Sequence, residues 1–373
     1  MALFFKRKAT TETAKPVTLF RRRWSKFRSL KRGYYSLIII TTAYLVSWLL
    51  PLLLNNVAVV VRYEGSYYFP AIAQLFGQSH FHAGKEFGVV GEENEVDYRL
   101  LDESWSTSET DNFVIMPLYP FGPIEDISKK GNKQFLAPLQ KDGFGRVRLL
   151  GTDDRGRDVF ARMAYGFNVS LSFALALVII EYLIGIPLGM ISGYLGGWFD
   201  TILQRFVEIW STLPTLFVII IVVSLTTPSF VLLLALLSIT LWIGICWLIR
   251  AEFLREKSKD YVAAAISIGV PTRTILFKHI LPNSLVPIIT YFPFAIVAGI
   301  ASLVSLDFLG FGLPPPTPSW GEMVSMGLNH ITTNKWWLVA APLSAMFLTL
   351  LMTVFVGESI REAFDPKVFS RLR

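Results

Sequence analysis

Five stretches of this chain are too long and too free of charge to belong to a water-soluble fold. Positions 36–54 carry no charge, 169–195 carry one (Glu181), and 209–249, 280–306 and 336–357 carry none. A helix that crosses the hydrocarbon core of a bilayer needs about 20 consecutive apolar residues. The run 209–249 is long enough for two, with the turn residues Thr226-Thr227-Pro228-Ser229 near its middle. The expectation is six spans, at about 36–54, 169–195, 209–226, 230–249, 283–306 and 337–357. Backbone in lipid must satisfy its own hydrogen bonds, and the alternating pattern of a barrel strand is absent, so the spans are helices. The fold class is an all-α polytopic membrane protein. Only 17% of residues are charged, against about 25% in soluble domains.

Lysine and arginine placement sets the orientation. The tail 1–35 holds eleven bases and one acid, Glu12. It is followed by an apolar run too long for a cleaved signal, so it reads as a retained anchor with the N-terminus in the cytoplasm. Six spans then place 196–208, 250–279 and 358–373 on the same side, and with the tail these hold 22 of the 35 bases. The intervening outer segment 55–166 holds 16 acids and 12 bases. It is too long for a simple loop. A strand is expected at 57–63, flexibility in the acidic stretch 91–110, and a small irregular cap overall. The core is 167–360, the inner connection 250–282, and the C-terminal tail 361–373.

That inner connection is the most informative part. Lys259-Asp260-Tyr261-Val262-Ala263-Ala264-Ala265-Ile266-Ser267-Ile268-Gly269 reads as a short helix, Val270-Pro271 as a break, 272–279 as a second helix, and Ile280-Leu281-Pro282-Asn283 as entry to the membrane. Ser258 is the expected N-cap, Asp260 complements the helix dipole, and Gly269 suits a left-handed C-terminal cap. Pro271 suits a first helical turn. Three alanines and a glycine leave a stiff, low-profile knob that another surface can approach closely.

This segment resembles the coupling loop of binding-protein-dependent ABC importer permeases, whose signature is Glu-Ala-Ala, three residues, Gly, about nine residues, then Leu-Pro. Ala264, Ala265, Gly269, Leu281 and Pro282 fall on it, with Ala263 in place of the glutamate. Leu150-Gly151-Thr152-Asp153-Asp154-Arg155-Gly156-Arg157-Asp158-Val159, Gly193-Tyr194-Leu195-Gly196-Gly197 and Arg205 with Glu208 and Pro214 are similar to the second ("C"-type) permease of dipeptide and oligopeptide systems. Ser305-Leu306-Asp307-Phe308-Leu309-Gly310-Phe311-Gly312-Leu313-Pro314, Ser319-Trp320-Gly321-Glu322, Arg250-Ala251-Glu252-Phe253-Leu254-Arg255 and 61–70 resemble the Yej branch, associated with uptake of peptides and microcin C.

The resemblance implies a type I importer permease in a bacterial inner membrane, forming half of a pathway. Its implied partners are a second permease, one or more ABC ATPase subunits and a periplasmic peptide-binding protein. ATP and magnesium would bind the ATPase, since no Walker A sequence is present here. Tyr261, Ala263, Ala264, Ala265, Gly269, Arg273, Leu281 and Pro282 would carry the coupling. The same architecture also serves importers of nickel, opines or glycopeptides, and the pore sequence leaves that alternative open.

Several other residues invite roles. Gly185, Gly189 and Gly193 stand four apart and form a smooth stripe, suited to packing within the subunit, along the pathway or against a partner. Glu181 sits near the middle of its span, where it can meet a substrate amine, be protonated or pair across an interface. Asp307 and Glu322 belong to the outer mouth, as contacts for a binding protein or a cationic peptide, or as loop caps. Trp336 and Trp337 read as interfacial anchors, and Cys246 as a buried inert thiol. An intramembrane enzyme is disfavoured by the lack of paired carboxylates or a nucleophile with its base. A secondary transporter is disfavoured by the single intramembrane charge. The net charge of +7 is explained by its inner-side placement, with no nucleic-acid-binding motif.

Overall fold

A computed structural model describes residues 19–76, 87, 96–107, 111–125, 133–143 and 145–364. The tails 1–18 and 365–373 lie outside the described residues, as does much of the acidic stretch 91–110.

In chain order the elements are α1 (Leu19–Ser29), α2 (Lys31–Ser47), α3 (Leu50–Leu53), β1 (Val60–Tyr63), β2 (Ser66–Tyr68), α4 (Pro70–Leu75), α5 (Tyr98–Ser106) and β3 (Phe113–Ile115). The long helical part follows: α6 (Val159–Leu195), α7 (Gly197–Ser211), α8 (Thr215–Leu225), α9 (Phe230–Lys257), α10 (Asp260–Ser267), α11 (Thr272–Thr274) and a π-helical turn at Ile275–Ile280. Then come α12 (Leu285–Phe308), α13 (Trp320–Asn329), a 3-10 turn at Ile331–Thr333 and α14 (Trp337–Phe364).

Among the described residues, α6, α9, α12 and α14 are each long and apolar enough to cross a membrane, and the bent pair α7 and α8 makes a fifth if taken as one span. Two expected spans therefore differ. The first is split: α2 ends at Ser47, and a turn at Trp48-Leu49 precedes α3, with Pro51 in its first turn. Seventeen helical residues rise only about 25 Å, short of the hydrocarbon thickness. The third, expected as one helix at 209–226, is broken. Its helix begins at Gly197, and α8 leaves α7 at 66°. Pro214 causes the break, because it has no N–H for α7 and its ring clashes with a preceding turn; it sits at the N-cap of α8 instead. Helices α6, α9 and α14 also run past their expected limits, α6 beginning at Val159 and α9 continuing to Lys257.

The packing centres on α6 and α9, the most extensive helix pairing among the described residues. Val178, Ile296, Ile300 and Ala341 close the seam between α6, α12 and α14. Phe173, Leu177, Leu233, Leu237 and Leu303 close a second seam, between α6, α9 and α12.

The segment between α3 and α6 is more ordered than the irregular cap expected. Strand β1 pairs antiparallel with β2 on one side and β3 on the other, with Val61 opposite Tyr68 and Val114. Ala58, Val61, Phe87, Tyr98, Leu101 and Val114 form its own small core. Part of the stretch expected to be flexible is helix α5, because the Asp97 carboxylate accepts the backbone N–H of Arg99 at 3.1 Å and caps it.

Candidate functional site

The elbow between α9 and α12 begins where α9 runs out of apolar residues and ends in Arg255 and Lys257, cations that suit a helix C-terminus. Ser258 does not cap α10. Its hydroxyl donates to the Arg255 carbonyl at 2.9 Å and so helps close α9, and Lys259 is the N-cap residue without a side-chain bond. Glu256, a buried carboxylate only 2% exposed, ties the two helices through side chains instead. Glu256 accepts from the Lys259 ammonium at 2.6 Å and from the Tyr261 hydroxyl at 2.8 Å. The Asn283 amide donates to the same hydroxyl at 3.3 Å and to the His279 carbonyl at 2.9 Å. One hub thus binds the end of α9, the start of α10 and the entrance to α12. Burial, with the Glu256 carboxylate beside it, holds the Tyr261 phenol above its ordinary pKa.

Helix α10 ends as its sequence dictates. Gly269 has φ +78°, its N–H reaches the Ile266 carbonyl at 3.0 Å, and the Val270 N–H reaches the Ala265 carbonyl at 3.0 Å. These two bonds form a Schellman cap that only a residue tolerant of the left-handed region closes cheaply. Pro271 is then the N-cap of α11. Val262 and Ala265 pack inward on Phe253, Ile275, Leu276 and Ile280. Ala263, Ala264, Ile266, Arg273, Phe277 and Lys278 face outward, and Ile268 is 80% exposed. Leu281 lines the elbow core and Pro282 is exposed in the turn to α12. The result is a braced knob with a small-residue face and apolar tips left bare.

The glycine stripe lies against α9 of the same chain. A Cβ at Gly185 would come within 2.6 Å of the Trp242 carbonyl oxygen. One at Gly189 would stand 3.1 Å from the Arg250 nitrogen, and one at Gly193 2.6 Å from the Arg250 carbonyl oxygen. Just below, the Arg250 guanidinium donates to both oxygens of Asp200 at 2.6 Å, and the Ser192 hydroxyl joins Asp200, tying the start of α7 to both helices. Glu181 is 5% exposed, near the middle of α6. No hydrogen bond or ion pair to it is found among the described residues, and Tyr182 and Tyr291 lie within its electrostatic reach. Cys246 is buried.

At the opposite end, Asp307 is a buried turn organiser, accepting the Leu313 N–H at 2.7 Å and the Ser319 hydroxyl. Glu322 is held by Arg157 at 3.4 Å and by Arg162. The two outer-mouth acids are thus engaged within the chain. Trp336 is exposed, but Trp337 is buried in the α6–α12–α14 core with its indole N–H 3.4 Å from the Thr152 carbonyl, so it is packing rather than an interfacial anchor.

The segment 151–162 explains this arrangement. Asp153 accepts from the backbone and side chain of Arg157 at 2.9 and 2.7 Å. Asp158 caps α6 through the Ala161 N–H at 2.8 Å and accepts the Tyr119 hydroxyl at 2.7 Å. The Arg148 guanidinium stacks 3.6 Å above Phe121 and reaches Asp158 at 3.5 Å. Burial pushes the Asp158 carboxyl and the Tyr119 phenol up, with Arg148 opposing. Trp320 locks α13 to α6 over Gly166, its N–H 2.9 Å from the Met163 carbonyl.

Sequence reasoning missed Glu256, Asn283 and the Asp200–Arg250 clamp as site residues. The only sequence signal for Glu256 was its spacing of three from Lys259.

The family of binding-protein-dependent transport system inner membrane components matches residues 185–370. A peptidoglycan transport system permease protein, YejE, of Agrobacterium fabrum is 35% identical over 93% of this chain and 93% of its own length. The inner membrane ABC transporter permease protein YejE of Escherichia coli is 38% identical over 92% of this chain and 96% of its own. The dipeptide transport system permease protein DppC of Bacillus subtilis is 34% identical over 69% of this chain and 78% of its own.

Proposed function

This chain belongs to the family of binding-protein-dependent transport system inner membrane components, and from that premise we propose that it is the ABC importer permease subunit through which peptides or peptide-like compounds cross the membrane. The elbow carries the reading. Its outward face of Ala263, Ala264 and Ile268 is shaped for a groove on a separate ATPase, and Glu256 fixes that face to the pathway helices. Tyr261, Ala265, Gly269, Arg273, Leu281 and Pro282 shape and brace it. ATP and magnesium bind the ATPase, whose closure pushes the elbow and rocks the helices between inward and outward access.

The chain spans the membrane six times on this reading, with α2 and α3 forming the first crossing and α7 and α8 a broken third. The base-rich ends and elbow face the cytoplasm. The β-sheet segment is a periplasmic cap, and a second, different permease completes the pathway. The substrate class rests on the relatives, whose names specify peptidoglycan and dipeptide transport.

The test is an Ile268→Cys variant of the assembled transporter. It cross-links to the ATPase in a yield that changes with ATP, and the reconstituted complex takes up labelled oligopeptide but not labelled nickel. Labelling of that cysteine from outside intact cells, or uptake by this chain without an ATPase, overturns the reading.

A further inference from the structure

Between the start of α2 and the end of α14 lies an open cavity of about 780 Å³. Three bases, Lys31, Arg32 and Arg361, and two acids, Glu358 and Glu362, line it, with Phe355 among its apolar residues. Its depth is fixed by the sequence. Positions 33–61 are uncharged, so Arg32 is the last charge before the first crossing, and the uncharged run 336–357 ends at Glu358. Gly33 lies against Ser359 and the Phe355 carbonyl so closely that a Cβ would collide, which pins the two helices together at that boundary. The cavity therefore opens at the level where hydrocarbon meets water.

Its two acids are each matched by a cation, which leaves Lys31 and Arg32 over. Glu362 is engaged by Lys26 at 3.2 Å, and Glu358 stands 4.0 Å from Arg361. Lys31 and Arg32 have no hydrogen bond or ion pair among the described residues. Directly above the cavity, α1 adds Arg21, Arg22, Arg23, Lys26 and Arg28 with no acid, and it docks on the end of α14 through Arg23 stacked 4.9 Å over Phe364. Trp24 on α1 and Tyr35, Ile38 and Ile39 on α2 are exposed large side chains beside it. A basic helix with aromatic residues lies along a membrane interface, and basic clefts between crossing helices on the inner face recruit acidic headgroups.

We propose that this cleft is a binding site for an anionic phospholipid of the inner leaflet, the phosphate held by Lys31 and Arg32, and the chains lying along α2 and α14. The site depends on the membrane placement of those helices and not on which solute is imported, so it stands or falls separately from the substrate class. Its occupant ties α1 to α14 and fixes the N-terminal anchor against the helix that leads back to the core.

The experiment takes the full chain with its co-purifying subunits, exchanges it into nanodiscs of phosphatidylcholine containing a minor fraction of phosphatidylglycerol, and measures retained lipid by native mass spectrometry after detergent extraction. Phosphatidylglycerol is retained over phosphatidylcholine, and a Lys31→Gln/Arg32→Gln variant loses it. Each basic residue near the surface changes affinity about fivefold, so the pair changes it roughly thirtyfold. Lys31→Arg/Arg32→Lys retains binding. If the neutral variant does not assemble, the wild-type complex is washed at high salt, which strips a phosphate-held lipid and spares one held by its chains. Equal retention of the two lipids, unchanged retention in the neutral variant, or displacement by millimolar inorganic phosphate overturns the proposal, the last by pointing to a free anion.

Discussion

Replacing Glu256 with Gln tests whether the elbow works as a rigid lever. The side chain keeps its shape but loses its charge, and the carboxylate's two bonds are affected unequally. A hydrogen bond to a charged group contributes about 1.5–3 kcal/mol and a neutral one about 1, so the Tyr261 bond at 2.8 Å weakens by about 1 kcal/mol. The Lys259 pair is short, 2.6 Å, but its ammonium side is half exposed, and such pairs contribute only about 0.5 kcal/mol. The sum, about 1.5 kcal/mol, corresponds to roughly a tenfold fall in the fraction of elbows held in register with α9 and α12. In proteoliposomes containing the assembled importer and its binding protein, peptide uptake per ATP hydrolysed falls about tenfold. Binding of the ATPase stays within about twofold, because the outward face of α10 is untouched. Tyr261→Phe removes the charge-assisted bond outright, at least about 1.5 kcal/mol, and falls by about tenfold or more. The double variant is little worse than Glu256→Gln alone, as members of one network are not additive. An unchanged ratio of uptake to hydrolysis in Glu256→Gln refutes the lever, and loss of ATPase binding shows instead that Glu256 only holds the fold.

Three further outcomes follow from the packing. Gly189→Leu forces a side chain into the backbone of α9 and abolishes a stable, extractable complex, whereas Gly244→Ala, which meets only the Tyr291 hydroxyl at 3.2 Å, leaves the melting temperature within a few degrees; equal tolerance of both denies the α6–α9 contact. Glu181→Gln raises the melting temperature of the purified complex, because an unpaired buried charge is costly; a fall in that temperature reveals a partner supplied by another subunit or the substrate. Arg162→Ala removes one of the two cations that hold Glu322, leaving Arg157, and destabilises by about 1.5–3 kcal/mol, read as earlier protease cleavage between the β-sheet segment and α13; unchanged cleavage refutes the network's role in holding the two together.

Most of the helical framework was legible because its signal is one-dimensional. An uncharged run fixes the presence of α6, α9, α12 and α14 whatever surrounds them, and Gly269 announces its own cap. What the sequence concealed depends on three-dimensional neighbours. Pro214 sat inside an uncharged run, so hydropathy joined what its ring separates. Ser258 looked like a cap because its type favours that place, yet the Arg255 carbonyl captured it. Asp307 and Glu322 looked available to a partner because acids in loops usually are, and only the fold brings Ser319, Arg157 and Arg162 to them. The glycine spacing of four announced a close approach but not its partner, which could be named only once α9 lay against it.

The same contacts indicate how a push at the elbow travels. Glu256 passes it to α9, whose backbone and the side chains of Ile245, Ile249 and Phe253 lie directly on Gly185, Gly189 and Gly193. Helix α6 is 37 residues long, about 55 Å at 1.5 Å per residue, so it reaches well beyond the hydrocarbon into the charged segment at its start. There Asp158, Asp153 and Arg162 bind it to Tyr119 on one side and Glu322 of α13 on the other. Close-packed interiors move between discrete arrangements rather than deforming continuously, so α6, α9 and the outer segment move together. The bent pair α7 and α8 is built differently: it is broken at Pro214 and exposed over much of its surface, and it rests on its neighbours through Asp200, through Val207 and Trp210 of α7 and through Ile219 and Val223 of α8. A unit of that kind accommodates the displacement that its braced neighbours impose.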